Sequence, residues 1–146
     1  MRLLQIVLSL GYSLLLGYIV FFARRRRFIT DRTVNFTPLR NSYDEYTNFN
    51  VSFTIASYHF YANLVGNVLL FVPVPFVLCW LFKIKRSATL IYCCLGLSVF
   101  IEAIQYAGKL GVADIDDVIL NTSGAAIAIL YLRKAGKRSA IQVTRK

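Results

Sequence analysis

Three carboxylates and an amide stand where an apolar helix begins, in the stretch Gly111-Val-Ala-Asp114-Ile-Asp116-Asp117-Val-Ile-Leu-Asn121-Thr-Ser-Gly124. Such groups can hold a cation, accept hydrogen bonds from a hydroxyl-rich ligand, or relay protons. Placing one charge at the centre of a bilayer costs about 2.5–3.5 kcal/mol on insertion scales, so a cluster at the mouth of a span marks a functional site by default. At helical spacing Asp114, Asp117, Asn121 and Gly124 share one face, while Asp116 points towards a neighbouring helix or the interface. The helix dipole stabilises acidic residues in a first turn and is the plainer explanation for the Asp residues. It does not account for Asn121, a turn deeper.

Other polar residues interrupt apolar segments in the same way. Asn63, Gly66 and Asn67 make a small polar stripe on one segment. Glu102 and Gln105 share a face near the end of the next, with Ser98 and Tyr106 a turn to either side of Glu102. Arg32 and Asn35 lie in a polar stretch ahead of both.

The elements that must carry these residues are membrane spans. The chain has 146 residues, of which 57% are hydrophobic and only 16% charged, with a mean hydropathy of +0.56. That is too apolar for a soluble domain. Four spans are expected, at about 3–23, 60–82, 87–107 and 115–132. The fold class is therefore an all-α integral membrane protein of four transmembrane helices. The first apolar run ends in Arg24 to Arg27 rather than at a small-x-small cleavage site, and reads as an uncleaved span. Residues 28–58 are too polar to span, and their aromatics and Thr suit an interfacial or re-entrant segment. Pro38 blocks a continuous helix there, and Pro73 and Pro75 predict a kink in the second span. Residues 133–146 read as a basic, mobile tail, and the whole chain as a single membrane domain.

Short connections make the third and fourth spans an antiparallel hairpin, with Gly108 and Gly111 in a sharp turn between them. Glu102 and Gln105 are thereby brought to the membrane face that carries Asp114, Asp116 and Asp117. The second span starts on that face, adding Asn63 and Asn67, and the preceding loop adds Arg32 and Asn35.

The net charge is +10, but the basic residues bracket apolar segments instead of covering a soluble face. This is the signature of membrane flanks beside anionic lipid, and it excludes nucleic acid as the expected partner. The face opposite the polar cluster carries ten Lys and Arg (Arg2, Lys83, Lys85, Arg86 and six in the tail), against seven on the cluster face. The positive-inside rule then sets both termini in the cytoplasm, although the four-Arg run after the first span pulls the other way. The three cysteines, Cys79, Cys93 and Cys94, read as small packing residues within spans. The single histidine, His59, sits among Tyr58, Phe60 and Tyr61 as an aromatic-belt neighbour.

Four ordered motifs resemble the VanZ-like family of small bacterial membrane proteins. They are Arg32-Thr-Val-Asn35-Phe-Thr-Pro38, Asn63-Leu-Val-Gly66-Asn67-Val-Leu-Leu-Phe71-Val-Pro73, Glu102-Ala-Ile-Gln105, and Asp114-Ile-Asp-Asp117-Val-Ile-Leu-Asn121-Thr-Ser-Gly124. The motif-bearing region runs from about residue 32 to 132. One departure is Gly111, where similar family members often carry Arg; nearby Lys109 lacks its planar fork. The resemblance implies a bacterial inner-membrane protein linked to glycopeptide resistance, chiefly to teicoplanin.

Three functional classes follow. In the first, the polar mouth, with Arg32, Asn35, Asn63, Asn67, Glu102, Gln105, Asp114, Asp116, Asp117 and Asn121, binds a cell-wall precursor, a lipid head group or a glycopeptide. In the second, Glu102, Asp114, Asp116 and Asp117 hold a divalent cation that clamps a lipid-linked phosphate; oxygen ligands suit Mg or Ca. No nucleophile stands near the cluster, which weighs against an enzyme. In the third, Glu102 and the aspartates relay ions or protons in a carrier, which would require an oligomer of these four-span chains.

Overall fold

Leu3 to Phe22 is apolar without interruption, and it forms α1 (Arg2–Tyr18) followed by a π-helical turn (Ile19–Ala23). The computed structural model of the chain describes residues 2–23, 34–35, 37, 55–110 and 113–143. A two-residue strand β1 (Val34–Asn35) precedes α2 (Ile55–Phe71) and α3 (Val74–Phe82). Then come α4 (Ser87–Ala107), a second short strand β2 (Ala113–Asp114) and α5 (Ile115–Val143). The architecture is all-α, and among the described residues four stretches are long and apolar enough to cross a membrane: Leu3–Phe22, Tyr61–Phe82, Ser87–Ala107 and Ile115–Gly136.

The break between α2 and α3 falls at the prolines, as their missing N–H groups require. Pro73 instead accepts hydrogen bonds through its carbonyl from the Phe76 and Val77 amides, both at 3.1 Å, and so starts α3. A carbonyl in the last turn of α2, that of Leu70, accepts a hydrogen bond from the Tyr12 hydroxyl of α1. Last-turn carbonyls have no intrahelical partner, so this bond satisfies an otherwise orphaned acceptor and ties the first span to the second.

The turn after α4 differs in detail from the glycine turn expected. Gly108 has an ordinary φ of −81°, and the left-handed residue is Lys109, with φ 53°. The Leu110 amide donates to the Gln105 carbonyl at 2.9 Å and the Lys109 amide to Tyr106 at 3.3 Å. This paired pattern closes the helix by capping its last carbonyls.

α5 also outruns its span. It continues past Leu132 to Val143, through most of the stretch that reads as a basic, mobile tail. Arg, Lys and Ala are good helix formers, and no proline follows Pro75, so nothing stops the helix where it leaves the apolar zone.

α5 is the hub of the bundle, packed against α2, α3 and α4, whereas α1 packs mainly on α3. The buried residues of α4 are Leu90, Cys94, Ser98, Ile101, Glu102 and Gln105, a single stripe at helical period. On α5, Asn121, Gly124, Ala125, Ala128 and Ile129 are buried, and most are small. Small residues let helices approach closely in lipid, where packing rather than water exclusion drives association. Gly124 shows the limit: a Cβ there would lie 2.1 Å from the Val68 carbonyl oxygen of α2. The apolar core joins Val20, Phe71, Val74, Cys94, Ile101 and Ala125. Large apolar side chains elsewhere, Leu3, Leu14, Phe22, Leu69, Phe82 and Tyr92 among them, face outward, as lipid-facing residues must.

Candidate functional site

Asp114 ends β2 and sits just ahead of α5, in the N-cap position. Its Oδ1 accepts the Asp116 backbone N–H at 3.0 Å, satisfying one of the unpaired donors of the first helical turn. The same oxygen accepts from Asn35 Nδ2 at 3.0 Å. β1 and β2 pair in parallel, Val34 beside Ala113 and Asn35 beside Asp114, which fixes this approach. From the other side, Glu102 Oε2 of α4 accepts the Asp114 backbone N–H at 3.0 Å. Asn35, Glu102 and Asp114, scattered in sequence, thus form one hydrogen-bonded layer at the start of α5. Asp116 is buried beside it, only 4% exposed.

One turn along α5, Asp117 faces α2. Its Oδ1 accepts Asn67 Nδ2 at 2.5 Å and Asn63 Nδ2 at 3.3 Å. Asn67 also approaches Asn63 Oδ1 at 3.5 Å. The spacing of the two asparagines, one helical turn apart, lets both amides reach one carboxylate. Gly124, two turns further, is what allows α2 so close.

A turn deeper again, Asn121 turns to α4 and donates through Nδ2 to Ser98 Oγ at 2.9 Å. Ser98 is wholly buried and Asn121 is 4% exposed. Among the described residues the Asn121 Oδ1 has no hydrogen-bond partner. From residue 114 to 121 the helix rises about 10 Å, so the polar groups form a column reaching well into the bundle.

The single face expected for Asp114, Asp117, Asn121 and Gly124 is therefore divided. Asp117 and Gly124 meet α2, while Asn121 meets α4, because α5 lies between the two. Gln105 is drawn into a different bond: its Nε2 donates to the Val20 carbonyl at 3.0 Å, within the π-helical turn that ends the first span. Wider helical turns leave carbonyls open to such a donor. Arg32, Gly111, the four arginines after α1 and most of the interfacial segment lie outside the described residues, as does the side chain of His59.

Three of the four candidate cation ligands, Glu102, Asp114 and Asp117, take amide donors here. Among the described residues no three carboxylates, imidazoles or thiols gather as a metal ion would need. Glu102 caps a backbone amide, Asp114 takes a backbone amide and Asn35, and Asp117 takes two side-chain amides. Ser98 was noted in the sequence only as a neighbour of Glu102. Its place on the buried stripe of α4 was the available signal for its pairing with Asn121.

What this end of the bundle can do chemically is present mixed donors and acceptors, with negative charge, to a polar ligand. No curated protein and no solved structure matches the chain. A family model does, and the matched residues, 9–135, contain most of the first apolar span, the other three almost entirely and every candidate site residue named above. The chain is accordingly a multi-pass membrane protein that belongs to the VanZ/LLP1 family.

Proposed function

We propose that the polar column at the start of α5 is a recognition site for a polar cell-envelope ligand, a cell-wall precursor, lipid head group or glycopeptide, and that the protein acts in glycopeptide resistance without itself catalysing a reaction. The observation that carries this reading is the convergence of Asn35, Asn63, Asn67, Glu102, Asp114, Asp117 and Asn121 at one end of a bundle built mostly of apolar residues. Helix capping explains Asp114. It does not explain the amides of α2 gathered on Asp117, or the Ser98–Asn121 pair inside the bundle, since apolar residues of the same size would cost less in lipid. Mixed carboxylates and amides suit hydroxyl and amide groups of a glycan or peptide.

The excess of Lys and Arg at the opposite end supports an inner-membrane orientation with both termini in the cytoplasm and the polar column opening outward. A phosphatase fused to the C-terminus stays inactive in that orientation; an active fusion reverses it.

The functional experiment compares teicoplanin susceptibility of a bacterial host expressing the natural chain with hosts expressing Asp117→Asn, Glu102→Gln and Asn67→Ala. Membrane insertion is checked by fractionation in each. Loss of protection by the near-isosteric Asp117→Asn and Glu102→Gln variants, with insertion intact, is the expected result. Protection undiminished in all three sinks the proposal.

A further inference from the structure

All seven acidic residues of the chain lie either between residues 31 and 45 or from Glu102 to Asp117. Among the described residues, the other end of the bundle, where α3 ends, α4 begins and α5 emerges, holds positive charge and no carboxylate. A cleft of about 380 Å3 opens there, at the meeting of these three helices. Lys85 and Arg133 stand in its lining, one from the connection before α4 and the other from α5. Both side chains are exposed. Its walls include the buried Leu90 and Ile129 and the half-buried Leu132.

A second feature has the same sign. Ser87, the first residue of α4, also lines the cleft, and no side chain caps that helix end. The helix therefore presents its open N–H groups and positive dipole end beside Lys85 and Arg133. Three cationic elements, two at the entry to α4 and one on α5, surround a space whose walls are largely apolar. The occupant this combination fits carries a phosphate on an apolar stem.

We propose that this cleft is a binding site for one anionic phospholipid, its phosphate held between Lys85, Arg133 and the first turn of α4, and its acyl chain against Leu90, Ile129 and Leu132. This site is separate from the polar column and does not depend on the ligand proposed for it. Basic residues along a membrane flank attract anionic lipid diffusely. A cleft with two cations and a helix terminus holds one molecule, and that difference can be measured.

The test uses the full chain in nanodiscs containing equal phosphatidylglycerol and phosphatidylcholine, with retained lipid read by native mass spectrometry after detergent release. The natural protein retains one phosphatidylglycerol in preference to phosphatidylcholine. The double variant Lys85→Gln/Arg133→Gln lowers that preference at least about tenfold, as the loss of a direct hydrogen bond to a charged group does. The control Lys83→Gln/Lys134→Gln removes as much charge from the same end and keeps the preference, as does Lys85→Arg/Arg133→Lys. Equal loss in the control and in the cleft variant overturns the site in favour of diffuse surface attraction. Displacement of the lipid by millimolar inorganic phosphate overturns the lipid assignment in favour of a free phosphate compound. No preference in the natural protein overturns the site altogether.

Discussion

The two ends of this bundle handle charge in opposite ways. At the start of α5, Glu102, Asp114 and Asp117 each accept hydrogen bonds from amides of the same chain. At the far end Lys83, Lys85, Arg86, Arg133 and Lys134 are all exposed, and among the described residues no acidic side chain belongs to that end. The first end is therefore part of the fold's own hydrogen bonding, and altering it should disturb stability as well as function. The second depends on the surroundings, and altering it should change what the protein holds and leave the fold alone.

The sharpest way to break this contrast is at Gly124. A Gly124→Ala side chain meets the Val68 carbonyl, so α2 must move away from α5 and the amides from Asp117. Overpacking of this kind costs about 1–3 kcal/mol, and contact with backbone belongs at the upper end. Thermal unfolding in detergent, followed through the single tryptophan Trp80, measures it. A small shift would mean that the close approach of α2 and α5 is not needed to build the polar end.

Next in size is Asn67→Ala, which removes a wholly buried amide and leaves the half-buried Asp117 with a weaker partner set. Removing one member of such a pair costs about 1–3 kcal/mol. A double-mutant cycle with Asp117→Ala returns a coupling of about 0.5–3 kcal/mol if the two residues act together. Additive effects would separate them. Ser98→Ala is expected to be milder. Hydrogen bonds between membrane helices average about 0.6 kcal/mol and reach about 1.7 kcal/mol, and the Ser98–Asn121 pair is of this type. Tyr12→Phe tests the hydroxyl bridge from α1 to Leu70 on the same scale. The smallest effect belongs to the basic end. Lys85→Gln/Arg133→Gln should leave unfolding within about 0.5 kcal/mol of the natural protein, as surface changes usually do. A large destabilisation there would erase the distinction between the ends.

Much of this was legible beforehand because the membrane makes simple demands. Ser87–Ala107 is the span its run of apolar residues predicts, bounded by Lys83-Ile-Lys-Arg86 and the Gly108 turn. Pro73 and Pro75 announced the break in the second span, since a missing N–H cannot be replaced locally. The meeting of Asn67, Glu102 and the aspartates at one end followed from counting spans and connections. The pairing of β1 with β2 did not. Two residues have no periodicity to read, and their alignment is settled by Asn35 meeting Asp114. Lys109 in the left-handed turn was hidden because two glycines nearby were the natural candidates. The helix beyond Leu132 was missed because hydropathy marks where a span ends, and helix propensity continues past it.

By itself, then, the amino-acid order determined that the chain crosses a membrane, where each crossing lies, and which polar residues share an end. These follow from local quantities: apolar length, proline and glycine placement, and the parity of crossings. Only the tertiary structure decided partners. Whether Asn121 turns to Ser98 or to α2, and whether Gln105 joins the carboxylates or the Val20 carbonyl, depends on how α5 is rotated between its neighbours. That rotation is set by the close contact at Gly124 and by packing across several helices at once, and no single stretch of sequence contains it.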